Sequence, residues 1–149
     1  MNIKDFKYAW RYTDSNYALF SSDELSKMNV LLENESSELW DKICDSKIFQ
    51  KSSYIKKIID KNIPVYVSDC GWGDELEKIT QNKLINFFKE NGIDKIYLLY
   101  DRISALNVSS DLFCNKWSDF CYPSDSILIL NDLKLLIYYE DILYGPFDI

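Results

Sequence analysis

The clearest pattern of apolar and polar positions lies between residues 63 and 88, and it predicts a strand, a glycine turn and a helix. Alternating apolar and β-branched residues end at Asp69, and Gly71 and Gly73 then follow in quick succession. The helix is expected to begin at Asp74 and to end at Asn91, where an Asn-Gly pair gives a common C-terminal stop. Its apolar stripe is formed by Leu76, Ile79, Leu84, Phe87 and Phe88.

The same reasoning predicts elements along the rest of the chain. Alternating or continuous apolar runs indicate strands at residues 6–12, 93–100, 105–108, 127–130 and 133–139, and Asn131-Asp132 favours a hairpin between the last two. Helical spacing indicates helices after Ser21, after Asn34 or Ser36, after Ser52 or Ser53, and after Ser109 or Ser110. The segment from residue 140 onward predicts a final edge strand or an ordered coil.

These elements predict a single α/β domain spanning residues 1–149. The strand, helix and strand of residues 63–100 are typical of a right-handed crossover. We therefore expect a mixed sheet of about five strands with helices packed against it and a C-terminal hairpin, and an α+β arrangement is the alternative.

Composition narrows the classes of protein to consider. With 149 residues, 47% of them hydrophobic, four Gly and three Pro, the chain resembles an ordered domain with one core. It has no signal-peptide-like start and no apolar run of membrane-spanning length, which favours the cytoplasm. Four well-separated cysteines favour reduced thiols. The absence of His removes the commonest general base and zinc ligand, so we expect no catalytic residue, no metal site and no cofactor.

The net charge of −7 lies entirely in the second part of the chain. Residues 1–62 carry ten basic and ten acidic side chains, whereas residues 63–149 carry seven basic and fourteen acidic ones. Such a field repels nucleic acid and anionic membranes and attracts basic proteins. The alternative is that the charge serves only solubility.

Two acidic groups are candidates for binding a partner. Four carboxylates and one indole lie where the predicted strand gives way to the helix, at a place where α/β folds often bind ligands; these are Asp69, Trp72, Asp74, Glu75 and Glu77. A second group, Glu140 and Asp141, follows the C-terminal hairpin among several aromatic residues. In the purely structural alternative Asp74 caps the helix, the following Glu residues complement its dipole and Trp72 covers the core.

Enzymatic alternatives rest on fewer residues. Carboxylates around Asp69 and Asp74 favour a small hydrolase, and Asp101 at the end of another predicted strand extends this to a magnesium site. Cys70 lies near a helix start, but three acids follow it and no base accompanies it. The two arginines, Arg11 and Arg102, are expected to pair with nearby acids or to contact a partner.

Several segments resemble a known group of proteins. Tyr8-Ala9-Trp10, Glu38-Leu39-Trp40, the stretch from Trp117 to Asp125 and Tyr138-Tyr139-Glu140-Asp141 resemble small bacterial proteins of uncharacterised function. Together with the size, the acidity and the richness in Lys, Asn and Ile, they are similar to immunity proteins of contact-dependent growth inhibition and other polymorphic toxin systems. The resemblance implies a non-catalytic inhibitor of a cognate toxin domain, often a basic nuclease. A general protein-binding adaptor is a further alternative.

Overall fold

The computed structural model describes residues 2–17, 20–44 and 66–148. Within them a short 3-10 helix covers Ile3–Asp5, and six α-helices follow it. They are α1 (Trp10–Thr13), α2 (Ser22–Ser26), α3 (Glu33–Cys44), α4 (Asp74–Glu90), α5 (Ser110–Asn115) and α6 (Trp117–Phe120). In the described part of the chain, no helix combines the length and the apolar content that crossing a membrane would require.

Seven strands form one sheet in the order β1-β4-β3-β5-β6-β7-β2. They are β1 (Asn29–Val30), β2 (Tyr66–Asp69), β3 (Lys95–Asp101), β4 (Ser104–Ser109), β5 (Ser126–Leu130), β6 (Lys134–Tyr139) and β7 (Ile142–Asp148). The mixture of helices and strands confirms the predicted α/β class, and the β5–β6 hairpin is confirmed as well.

The direction of the strands differs from the predicted mixed sheet. All six neighbouring pairs in the described chain are antiparallel. β2 and β3, on either side of α4, run in the same direction, as a crossover requires, but β5, β6 and β7 lie between them. β5, β6 and β7 follow one another by hairpins and separate β2 from β3, so the antiparallel sheet corresponds to the α+β alternative. β7 is not an edge strand, because β2 pairs with its outer side.

The N-terminal segment was predicted to be a strand, and this prediction was wrong. Residues 6–12 form turns and the start of α1 instead of a sheet strand. Their alternating aromatic residues are used differently: Phe6 and Tyr12 are buried, while the half-buried Tyr8 packs edge-on against Phe6. The aromatic residues of this segment therefore belong to a layer of turns and helix that covers one face of the sheet.

Local signals in the sequence explain several helix boundaries. Ser21 and Glu24 form the predicted capping box of α2, and Ser109 Oγ accepts the Leu112 N–H at the start of α5. α4 ends at Asn91-Gly92, where Gly92 adopts a φ of 62°. α3 begins at Glu33, slightly earlier than predicted. The helix predicted after Ser52 or Ser53 lies outside the described residues.

The sheet carries a hydrophobic core on each face. The larger core lies under α4, α5, α6 and the N-terminal segment and includes Leu98, Tyr100 and Phe113. The smaller core lies under α3, where Trp40 and Cys44 pack on Leu128 and Ile137. The predicted inward face of α3 is thereby confirmed, and the central strands are covered on both sides.

Candidate functional site: an acidic surface at one edge of the sheet

The predicted acidic residues lie at the edge of the sheet where β2, β3 and β6 end and where β5 and β7 begin. We call this the upper edge, and the opposite one the lower edge. Asp69 ends β2, Asp101 ends β3, and Glu140 and Asp141 form the turn between β6 and β7. α4 starts at the upper edge and runs toward the lower one, because it links the end of β2 to the start of β3.

The two acidic groups, separate in sequence, meet at this edge. Asp69 pairs with Ile142 across β2 and β7, and the Cys70 N–H donates a hydrogen bond of 2.7 Å to the carbonyl oxygen of Asp141. Glu140 and Asp141 both have positive φ, 49° and 64°, as a tight two-residue hairpin turn requires. The backbone thus joins the segment after β2 to the β6–β7 turn. We use the name acidic surface for Asp74, Glu75, Glu77, Glu140 and Asp141, and the backbone of Asp69 lies beside them at the end of β2.

The start of α4 is built differently from the prediction. Gly73, with a φ of 96°, is the N-cap residue, so Asp74 is the first helical residue and not the cap. The Glu77 carboxylate accepts the Gly73 N–H at 3.1 Å and supplies the missing cap interaction. Gly71 allows a close approach, since a Cβ at that position would lie 2.5 Å from the Cβ of Leu76. The turn is therefore fixed by glycines on one side and by Glu77 on the other.

Trp72 is half-buried and connects the acidic surface to the core. Its ring lies against Trp117, with centroids 5.3 Å apart and planes tilted by 36°. The Trp117 indole N–H donates to the Glu77 carbonyl oxygen at 2.9 Å, whereas the buried Trp72 indole N–H has no hydrogen-bond partner. Trp72 therefore covers core, as its structural alternative predicted, while its half-exposed ring remains part of the candidate site.

The predicted burial of the apolar stripe of α4 was wrong in the first two turns of the helix. Leu84 and Phe88 are buried as predicted, but Leu76 and Ile79 are 51% and 48% exposed. Thr80 takes the buried position of that half of the helix. Leu76 lies one turn before Thr80 and contacts Gly71 with only part of its surface. About half of each of these two apolar residues is therefore exposed beside the acidic surface, whereas sequence periodicity had assigned both to the core.

Five acids around the start of α4 and the β6–β7 turn have no cationic partner in the described chain, in contrast to Asp41, Asp101 and Asp125. Asp74, Glu75, Glu77, Glu140 and Asp141 make no ion pair within the described residues. Asp141 accepts a hydrogen bond from the Tyr138 hydroxyl at 3.1 Å, and Asp74, Glu75 and Glu140 are exposed. α4 also carries the exposed Lys78 and Lys83, so the surface is predominantly but not uniformly negative.

The negative field extends to α6, a contribution that the sequence pattern did not reveal. Burial raises the pKa of Asp119, and the charges of Glu77 and Glu24 raise this pKa further, against a lowering effect of Lys116. The hydrogen bond from the Trp117 indole N–H to the Glu77 carbonyl oxygen places the start of α6 beside the first turn of α4, so that the charge of Glu77 reaches Asp119. Asp119 therefore extends the acidic surface beyond the predicted residues.

The magnesium site considered for Asp69, Asp74 and Asp101 is not formed. Three strands separate the end of β2 from the end of β3, which corresponds to roughly 19 Å at the usual strand spacing. Asp101 instead accepts hydrogen bonds from Lys7 and from the Tyr8 hydroxyl. In the parts of the chain that the structure covers, no three Cys, Asp or Glu side chains are grouped so as to hold a metal ion.

Both arginines form structural ion pairs. Arg11 contacts Asp125 through two hydrogen bonds of 2.5 and 2.7 Å, with side chains only 7% and 12% exposed. Burial would lower the pKa of Arg11, but the hydrogen bonds and the charge of Asp125 outweigh it and raise the pKa. Arg102 makes a similar pair with Asp41 on the surface, at 2.8 and 3.0 Å.

The Arg11–Asp125 pair lies in an aromatic environment. The guanidinium carbon lies 4.3 Å from the centre of the Tyr122 ring, and the Tyr122 N–H donates to Asp125 at 2.8 Å. Beside it, the buried Tyr12 and Tyr100 hydroxyls hydrogen-bond to each other, and Tyr100 also donates to the Phe120 carbonyl oxygen. This network ties the N-terminal segment to the start of β5.

All four cysteines are buried, and none of them forms a disulfide. Burial raises the pKa of Cys44 and of Cys114 to about 12 in each case, and it raises that of Cys121 well above the ordinary range. Cys70 is also buried, which removes the access that a nucleophile at the start of α4 would need.

Comparison of the chain with protein-family models, with curated proteins and with solved structures finds no match. Function is therefore inferred from the geometry and charge of the acidic surface.

Proposed function

We propose that the protein is a non-catalytic inhibitor that binds a basic toxin domain through the acidic surface, as an immunity protein does. The observation that carries the proposal is the gathering of unpaired carboxylates from two distant segments. Asp101, Asp125 and Asp41 are paired with cations, whereas the described carboxylates of the acidic surface have no such partner. Leaving like charges together opposes folding slightly, which favours a role in binding.

Exposed apolar groups support a protein partner in particular. Leu76 and Ile79 are about half exposed on α4, and the half-buried ring of Trp72 lies in the turn before it. Stable interfaces combine a central apolar or aromatic anchor with a polar rim, and this pattern fits Trp72, Leu76 and Ile79 with the acids around them. A basic partner would be steered to the site by the negative field.

The proposal follows the family resemblance in the kind of partner. An acidic face that covers a basic substrate groove would block a toxin without chemistry of its own. The sequence has no His, and the buried Cys70 is unsuited to nucleophilic attack. These features favour inhibition by occlusion.

The test is capture of a partner from the native organism with the full chain, followed by calorimetric titration at low and high salt. We expect one basic domain to bind, with an affinity that falls as salt rises. The double variant Asp74→Asn/Glu75→Gln should weaken binding about tenfold or more, since each charged contact at an interface contributes on the order of 1 kcal/mol.

Matched control variants separate the acidic surface from net charge. Glu90→Gln/Asp111→Asn removes the same charge from exposed positions at the lower edge and should leave affinity nearly unchanged. Likewise, Leu76→Ser should weaken binding, whereas Leu133→Ser, at a 69% exposed position in the β5–β6 turn, should not. Equal loss of affinity in the two charge variants, or capture of no basic protein, would overturn the proposal.

A further inference from the structure

A concave site lies on the face of the sheet that α3 covers, between α3 and the β1 edge. It is a pocket of about 560 Å³, within the range of roughly 300–1,000 Å³ that is common for small-molecule sites. Residues of α3 form one wall, and β1, β4 and β3 form the floor. The pocket is separate from the acidic surface, which lies around the start of α4.

The floor of this pocket is a polar row beside the apolar core under α3. Strand register places Asn29 opposite Asn107 and Asn107 opposite Tyr97, so the three side chains are neighbours across β1, β4 and β3. Toward the upper edge the same face carries apolar residues such as Leu99 and Leu128, and toward the lower edge it continues with Lys95 and Ser109. Packing against α3 does not require two carboxamides, and apolar residues at these positions would extend the core.

The polar groups of this floor are available to a ligand. The Asn29 and Asn107 carboxamides and the Tyr97 hydroxyl make no side-chain hydrogen bond within the residues that the structure describes. Each carboxamide offers one acceptor oxygen and two donor hydrogens. A flat hydrogen-bonding group laid on this row would be recognised by several partners at once.

The α3 wall determines the charge and shape that fit. Glu35 and Glu38 lie one turn apart on it and are exposed, with Lys42 one turn further along. One Glu35 oxygen accepts the Leu32 N–H at 3.0 Å, whereas the Glu38 carboxylate makes no hydrogen bond within the described chain. Leu39 supplies an apolar strip beside these carboxylates.

We propose that this pocket binds an alkyl guanidinium group. The planar cation can hydrogen-bond to the Glu38 carboxylate and to the carboxamide oxygens, and it can stack on the Tyr97 ring, while its alkyl stem lies along Leu39. The group has two sources, a free small guanidine or an arginine side chain of a polypeptide. Both present the same chemistry to the pocket.

The experiment is a titration of the ¹⁵N-labelled full chain with ethylguanidinium, followed by amide chemical shifts. Saturable shifts centred on Asn107 and Tyr97, with a Kd of about 1 mM or below, are expected. Ethylurea, a neutral analogue of the same shape, should give no saturable shift. Glu38→Gln should weaken binding about tenfold, whereas Glu90→Gln, at an exposed position on α4, should not change it.

A titration with an arginine residue blocked at both ends distinguishes the two sources. Tighter binding of the blocked arginine than of ethylguanidinium assigns the pocket to a polypeptide, and weaker binding assigns it to a free guanidine. Shifts that do not saturate by about 20 mM, equal shifts with ethylurea, or unchanged affinity in Glu38→Gln would each overturn the proposal. None of these outcomes depends on the acidic surface.

Discussion

The buried pair of Arg11 and Asp125 makes the sharpest test of what holds the N-terminal segment to the sheet. Replacing Asp125 by Asn keeps the size and the acceptor for the Tyr122 N–H but removes the charge that faces the guanidinium. Arg11 would then be a cation whose side chain is 7% exposed and which faces only neutral groups: the carboxamide oxygen, the Phe120 carbonyl oxygen at 3.5 Å and the Tyr122 ring. Breaking a buried pair in this way destabilises a protein by about 3–5 kcal/mol.

The size of that loss follows from burial and not from the ion pair itself. Arg11→Met removes the guanidinium and leaves an apolar side chain among aromatic rings. We therefore expect the double variant Arg11→Met/Asp125→Asn to be more stable than the sum of the single variants implies, with a coupling free energy of about 2 kcal/mol. Since the whole free energy of unfolding of such a domain is about 5–15 kcal/mol, the Asp125→Asn loss is a large fraction of it.

Urea unfolding followed by fluorescence measures all three variants, and the surface pair provides the control. Asp41→Asn breaks the pair with Arg102, which has similar geometry but side chains 30% and 39% exposed, and it should destabilise the fold far less. Equal losses for Asp41→Asn and Asp125→Asn would refute the reasoning from burial. Additivity of the two Arg11–Asp125 substitutions within about 0.5 kcal/mol would refute the coupling.

Three further predictions concern pH, thiol access and backbone conformation. The fold raises the pKa of Asp119, so ionisation of this side chain at neutral pH lowers the free energy of unfolding. Asp119→Asn should therefore raise the urea midpoint at pH 7 but not at about pH 3, where the carboxyl is largely protonated in both states. An equal gain at both pH values would contradict this. Cys121 should react with a thiol reagent at pH 8 only after unfolding, so rapid labelling of the native protein would contradict its burial. Gly145→Ala places a Cβ 2.8 Å from the Leu135 carbonyl oxygen at a φ of 120°, and we expect a loss of about 2–4 kcal/mol in urea unfolding; Gly92→Ala, with open space around it, should lose only about 1 kcal/mol, and equal losses would contradict the clash.

The elements that were predicted well from the sequence are determined by residues within or next to the element itself. The capping box at Ser21, the Ser109 cap and the Asn91-Gly92 stop depend on a few neighbouring residues, and each lies where the pattern placed it. The strands β3, β5 and β6 are apolar enough to be recognised without knowledge of their partners. Local chemistry therefore predicts elements and many of their ends.

Strand order and layer assignment depend on partners that are distant in sequence. Period-two alternation in residues 6–12 fits a strand. A segment of turns and helix that packs its aromatic rings on a sheet face can show the same alternation. Similarly, Leu76 fits the apolar period of α4, but whether its turn is buried depends on which other elements pack against that part of the helix. Antiparallel insertion of β5, β6 and β7 between β2 and β3 leaves no signal in either strand.

The candidate site was predictable only in its composition. Charge and glycine spacing led to Asp74, Glu75 and Glu77, and acidity near the C-terminus led to Glu140 and Asp141. Their meeting depends on the pairing of β2 with β7, which joins residues far apart in the chain. The exposure of Ile79 beside the site was also not predicted, because periodicity alone had assigned this residue to the core.

The order of strands has a consequence for how the chain is completed during synthesis. Strands β3 to β7 occupy the middle of the sheet and come from one continuous stretch, residues 95–148, while β1 and β2 precede them in the sequence and attach at opposite edges. A ribosome therefore releases both edge strands before any of the strands on which they dock. Both wait for a similar length of chain, because Asn29 pairs with Asn107 on β4 and Tyr66 pairs with Tyr144 on β7, 78 residues further on in each case. A stop codon just before Ile142 would thus leave β2 without its strand partner in the described chain, and it would expose one side of β6, which would still pair with β5.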